Sequence, residues 1–233
     1  MTPLSPAEWE VLLLSLKVGG VAIAAALPVA FACAWVLARW RFPGKVLLDV
    51  VVHLPLVLPP VVTGWLLLLA FSPNAALGGL LERTLGLTLL FRWTGAALAA
   101  AVMALPLMVR AMRLSLEGVD RRLESAARTL GAGPWRTFLT VTLPLSANGV
   151  LAALVLGFAR SVGEFGATIT FASNIPGETQ TLPLAIYSAL QVPGADLQVA
   201  RLAALSVALS VLALVLSEWL ARRSGQEKGR HVL

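Results

Sequence analysis

The sequence is poor in what a soluble enzyme of its size draws on. Only 13% of its 233 residues are charged and one is a cysteine, against roughly a quarter charged in ordinary soluble domains. So few charges cannot coat a water-exposed surface of this size, which excludes a soluble globular protein. The lone Cys33 excludes an internal disulfide, and two separated histidines, His53 and His231, leave no cluster spaced like a metal site. There is no HExxH, no GxSxG and no phosphate-cradling glycine loop; Gly44-Lys45 is followed by Val46 and has no glycine five residues upstream. No catalytic residue, metal or nucleotide site is therefore expected in this chain.

What the chain has instead is apolar length. Hydrophobic residues make up 58% of it, the mean hydropathy is +0.84, and apolar runs recur at or near the roughly 17–25 residues that a bilayer-spanning helix needs. The pattern predicts a single all-α integral membrane domain over 1–233. Its five spans fall at about 11–38, 46–71, 93–116, 145–170 and 200–221, with a charged loop at about 117–144. The first run is read as an uncleaved span, because Glu8 and Glu10 precede it with only Lys17 to offset them. Pro55, Pro59 and Pro60 should kink or break the second. Two shorter apolar stretches, 74–86 and 181–192, are too short to span and are read as interfacial or re-entrant helices.

The positive charges orient these spans. Arg39, Arg41 and Lys45 follow the first span; Arg110 and Arg113 stand in the last turns of the third and Arg121, Arg122, Arg128 and Arg136 in the loop after it; Arg222, Arg223, Lys228 and Arg230 follow the fifth. These thirteen of the 18 Lys and Arg residues share one side of a five-span model, and the excess marks the cytoplasmic side. The N-terminus is then outside and the C-terminus inside. The pI near 10.7 is thereby a matter of topology, and no basic-aromatic surface points to nucleic acid.

Polar groups within the spans are the candidates for a solute pathway. Arg160 and Glu164 lie four residues apart in the fourth span, and each charge alone would cost about 2.5–3.5 kcal/mol at a helix centre, so they should pair or face water. They serve either as part of a pathway or gate, or as an ion pair holding helices or protomers together. Broken helices in membranes occur where backbone is buried in protein or lines a cavity, which brings in the proline-rich stretch 54–64. Pro59, Pro60 and Thr63 there, with Arg160, Glu164 and Thr168, are the pathway or gate candidates. Asp49 and His53 share a helical face near the cytoplasmic start of the second span, where interfacial placement accounts for them.

The charged loop carries the strongest signal. Glu124-Ser125-Ala126-Ala127-Arg128-Thr129-Leu130-Gly131 is followed by Val141-Thr142-Leu143-Pro144, and the stretch reads as two short helices joined at 131–133 and closed by Leu143-Pro144. This resembles the EAA loop of ABC importer permeases, with the acid at Glu124, Ser125 at the glutamate position and Val141 in place of isoleucine. Segments 53–62, 105–110, 126–133, 158–171 and 173–179 extend the likeness over nearly the whole chain and resemble the molybdate ABC transporter permeases, with sulfate and thiosulfate permeases also similar.

The resemblance implies a type I ABC importer permease fold in the bacterial inner membrane. It implies a homodimer bound to two ABC ATPase subunits, which hold the ATP and Mg, and to a periplasmic molybdate-binding protein. Glu124, Ser125, Ala126, Ala127, Gly131, Leu143 and Pro144 would form the ATPase-coupling loop, and transport would proceed by alternating access. Sulfate, thiosulfate or tungstate are the alternative substrates, and a passive anion channel is a more distant alternative that leaves the coupling box unexplained.

Overall fold

A computed structural model describes residues 4–229. Among them the chain is helical with no strand: α1 (Pro6–Arg39), α2 (Lys45–Val57), α3 (Pro60–Phe71), α4 (Ala76–Leu85), α5 (Trp93–Glu117), α6 (Arg121–Thr129), α7 (Pro134–Thr137), a π-helical turn (Phe138–Thr142), α8 (Leu143–Val162), α9 (Gly166–Ala172), α10 (Leu182–Leu190) and α11 (Asp196–Gly229). Four helical stretches, Pro6–Arg39, Trp93–Glu117, Pro134–Val162 and Asp196–Leu216, are long and apolar enough to cross a membrane. The bent pair α2–α3 makes five if it counts as one crossing.

α1 starts sharply. The Ser5 hydroxyl accepts the Glu8 N–H at 3.3 Å while the Glu8 carboxylate accepts the Ser5 N–H at 2.7 Å, and Pro6 stands where its missing N–H costs nothing. At 34 residues the helix is about 51 Å long, well beyond a hydrocarbon core of about 30 Å. α5 is the central helix. Its Ala96, Ala99, Ala100 and Ala104 are fully buried, and their small side chains let α1 and α8 close in from either side. The fit has no slack: a Cβ at Gly157 would lie 2.8 Å from both Met108 and Ile23, and one at Gly149 would lie 2.2 Å from Ser115. With lipid replacing water there is little hydrophobic drive between helices, so such close backbone approach supplies the association.

Two spans differ from the sequence expectation. The second, read as one kinked segment over 46–71, is two helices meeting at 117°. Pro59 and Pro60 cannot donate the hydrogen bonds that would carry α2 forward, so α2 closes with the Leu58 N–H on Leu54 and α3 starts afresh. The fourth, read over 145–170, begins earlier and ends earlier. A continuous rod runs Pro134–Val162, the chain turns through Gly163, Glu164 and Phe165, and α9 follows. The loop therefore does not close at Leu143-Pro144; the rod passes through both. Pro144 has no N–H and its ring crowds the preceding turn, and the wider π turn just before it, closed by the Leu143 N–H on Phe138, gives the room.

At the end of the bundle opposite α6, α1 is tied to two other elements. The Ser15 hydroxyl donates to Val11 and accepts the Leu182 N–H, both at 2.8 Å, and the buried Glu8 carboxylate lies 3.2 Å from the Arg201 guanidinium of α11. Nearby, Lys17 stands 3.7 Å over the ring of Trp93, and the backbone N–H of Trp93 donates to the Glu178 carboxylate.

Candidate functional site: a docking helix and a crossing of broken spans

Two places gather the sequence candidates. The first is α6. Asp120 caps it by accepting the Arg122 N–H at 2.9 Å. At its other end the Ala132 N–H reaches the Ala127 carbonyl and the Gly131 N–H reaches Arg128, a double closure that requires the left-handed φ of +86° found at Gly131. Gly131 thus earns its place in the motif by backbone geometry. No residue of α6 is fully buried. Leu123, Ser125, Ala126 and Leu130 are exposed, Leu130 at 88%, and Ala127 is half-buried. Small and apolar groups facing outward on a short helix suit it to sit closely against another protein.

Glu124 turns the other way. Its carboxylate receives a two-pronged contact from Arg39, Nη2 to Oε1 at 2.8 Å and Nη1 to Oε2 at 3.4 Å, and Oε1 also accepts the Thr142 hydroxyl at 2.7 Å. The side chains of Arg39 and Glu124 are only 9% and 14% exposed, and Arg39 further stacks 5.5 Å over Trp35. Removing one partner of such a sheltered pair strands the other charge, at about 3–5 kcal/mol. Beside it, Trp35 of α1 meets Phe138 edge-on at 5.3 Å, and Trp135 meets Phe138 at 6.1 Å. Leu143 and Pro144, grouped with α6 from the sequence, belong to the rod. Sequence reasoning missed Arg39 and Thr142. Arg39 looked like one more cytoplasmic charge, and no spacing rule links positions 85 residues apart.

The second place is where the two broken spans cross. A Cβ on Gly64 would fall 2.6 Å from the Ala167 carbonyl and 2.8 Å from Thr170, and one on Gly166 would fall 2.7 Å from Pro60. α3 and α9 therefore touch backbone to backbone. Thr63 and Thr168 are buried on these two helices, and the Thr63 hydroxyl finds no hydrogen-bond partner among the described residues. Glu164 is 2% exposed; one carboxylate oxygen lies 2.5 Å from Arg160 and the other accepts the Ala167 N–H at 2.8 Å. That second bond belongs to the turn that ends α8. Glu164 is thus sealed in while the Arg160 side chain remains 25% exposed. Pro59, Pro60, Thr63, Arg160, Glu164 and Thr168 all lie on these crossing segments.

A third cluster, at the start of α2, is structural in form. Arg113 bridges Asp49 at 3.1 Å and Glu117 at 2.8 Å, and the His53 ring lies 3.3 Å from Asp49. A cavity of about 320 Å³ opens between these residues and Arg110.

A bundle of membrane-length helices with an outward-facing short helix between α5 and the rod Pro134–Val162 is the architecture of an ABC importer's membrane subunit. The solved structure of a bacterial transporter that imports alginate superposes with a TM-score of 0.70 at 17% identity, covering 94% of this chain and 80% of that one. The MetNI methionine transporter, in an inward-facing conformation, gives 0.66 at 17% identity and 94% of both chains.

Residues 26–226 match the family of binding-protein-dependent transport system inner membrane components, and the chain belongs to that family. It is 57% identical to the molybdenum transport system permease protein ModB of Escherichia coli K12 over 97% of this chain and 99% of that one. Against the ModB of Haemophilus influenzae it is 58% identical over 93% and 95%. The sulfate transport system permease protein CysW of Synechococcus elongatus is 37% identical over 95% of this chain and 77% of its own length.

Proposed function

We propose that this chain is the membrane subunit of an ATP-driven importer of molybdate. The carrying observation is identity of 57–58% to two ModB proteins over nearly their whole length, against 37% to a sulfate permease. Two copies form the translocation unit, each with α6 and the C-terminus in the cytoplasm and the start of α1 outside. Two ATPase subunits, which bind ATP and Mg, receive the two α6 helices, and a periplasmic molybdate-binding protein delivers the anion to the opposite end.

The geometry supplies the moving parts. Closure of the ATPases on ATP shifts α6, and the continuous rod Pro134–Val162 carries the shift across the membrane without a hinge at Pro144. At its far end the rod stops at Gly163, next to the crossing of α3 and α9. With Gly64 against Ala167 and Gly166 against Pro60, α3 and α9 touch backbone to backbone, so a shift that the rod passes through the 163–165 turn to α9 is passed on to α3. One Arg160, a quarter exposed and paired with Glu164, offers a dianion only a weak foothold. Selectivity then rests with the delivery protein and release is fast. Arg160 is in this reading a pathway group, and Glu164 holds it.

Uptake of molybdate at trace concentration in cells deleted for the gene, with and without the gene restored, tests the reading. Restored uptake that tungstate suppresses and excess sulfate does not is the expected result. Suppression by sulfate, or restored sulfate uptake alone, moves the protein to the sulfate branch.

A further inference from the structure

α6 has little of its own to hold it. No residue in it is fully buried, and it hangs between a turn at Gly118–Asp120 and the glycine-bearing turn 131–133. A helix suspended on two such turns would swivel when pushed. What reaches from it into the body of the protein is Glu124. That one carboxylate joins the last residue of α1, Arg39, and the last residue of the π turn, Thr142. Three segments, from positions 39, 124 and 142, thus converge on two oxygen atoms.

We infer that Arg39, Glu124 and Thr142 form the rigid joint through which α6 drives α1 and the rod, Glu124 acting as a positioning residue for transport and not as a contact to the ATPase. The inference rests on the importer reading. Successive helical residues point about 100° apart, so an acid at 124 projects well away from position 125, where the likeness to the EAA loop puts the glutamate and this chain has an exposed serine. The outer face is left to Leu123, Ser125, Ala126 and Leu130, while the acid is spent inside. A two-pronged guanidinium–carboxylate contact resists rotation better than a single bond, because both prongs must break together. The π turn completes the joint: its extra residue changes the direction in which Thr142 leaves the rod, and in the structure that direction is toward Glu124.

The test uses the permease purified with its ATPase subunits, reconstituted in vesicles with the periplasmic binding protein, measuring molybdate uptake and ATP hydrolysis in the same vesicles. Glu124→Gln and Arg39→Lys should keep the ATPase subunits bound and hydrolysis within about twofold of wild type, while molybdate moved per ATP falls about tenfold. Thr142→Ser should keep the wild-type ratio and Thr142→Val should lower it. The double reversal Arg39→Glu with Glu124→Arg should recover part of the loss. An unchanged ratio in Glu124→Gln overturns the inference, and so does loss of the ATPase subunits with the ratio preserved in what remains, which would put Glu124 on the docking surface. If Glu124→Gln does not accumulate, Thr142→Val decides, since it removes one hydroxyl from a helix that remains. Failure of the importer reading looks different: wild-type vesicles would then show no ATP-dependent molybdate uptake.

Discussion

Gly64 shows how much one absent methyl group can determine. Its position in α3 faces the Ala167 carbonyl, where a Cβ would lie at 2.6 Å, closer than real Cβ contacts come. Because that neighbour is backbone, it cannot turn aside, and α9 would have to move. Gly64→Val should therefore destabilise the permease by about 1–3 kcal/mol, the usual cost of overpacking, and cut transport more than the loss of folded protein accounts for. Thermal unfolding in detergent and uptake normalised to membrane protein check the two halves. Gly20 of α1, where a Cβ would meet no neighbouring element within 4 Å, is the control, and Gly20→Ala should be silent in both. Arg160 poses a different question. Its partner Glu164 is also held by the Ala167 N–H, so Arg160→Gln leaves the turn after α8 in place. Uptake should fall while the amount of dimeric complex recovered stays unchanged; loss of the dimer instead would make the ion pair a brace between helices or protomers.

Among the elements, those whose information is local were legible in the sequence. The apolar runs that became α1 and α5 announce themselves by length, and Pro59-Pro60 marks the break between α2 and α3 because both lack the donor that a continuing helix needs. Less legible were the events that tertiary contacts settle. Nothing in Phe138–Thr142 signals a π turn; it follows from Pro144 two residues on and from the pull of Glu124 on Thr142. The stop at Gly163 lies within an apolar run that reads as continuous, and it needs the Glu164 carboxylate to bond the Ala167 N–H three residues ahead. Half of the α6 site was readable, since Ala126, Ala127 and Gly131 carry the motif. The inward turn of Glu124 was not, because its partner is Arg39, whose neighbours in sequence are also basic. For α6 as a docking element the decisive variant is Ala127→Trp. Ala127 is half-buried beside exposed Ala126, so an indole there would thicken the helix against any partner while leaving the membrane helices untouched. The permease should still insert and fold, but the ATPase subunits should no longer copurify with it and uptake should stop. Normal association and uptake would mean that α6 docks nothing.

For the molecule as a whole, the topology turns on the bent pair α2–α3. Each half is too short to span alone: 13 and 12 residues give about 20 and 18 Å, against about 30 Å of hydrocarbon. A 117° bend is compatible with a re-entrant loop as well as with a broken span, and the two differ by one crossing, which would invert everything after it. The contacts favour a crossing. α2 begins six residues beyond the α1 end, where Arg39 meets α6, whereas Phe71 at the close of α3 packs 6.2 Å from Phe171 of α9, beyond the far end of the rod. Leu89, preceding α5, lies against Gly95 and packs on the cluster that holds Phe171 at that same end. In a Cys33→Ala background, single cysteines at Pro43, Asn74, Ser125 and Gln191, all exposed, read the topology directly through an impermeant thiol reagent. Asn74→Cys and Gln191→Cys should label in intact spheroplasts, and Pro43→Cys and Ser125→Cys only after the membrane is opened. Labelling of Pro43→Cys and Asn74→Cys from the same side would make α2–α3 a re-entrant loop. The bundle would then cross four times, the two termini would share a side, and the counting of positive charges that put α6 in the cytoplasm would lose its basis.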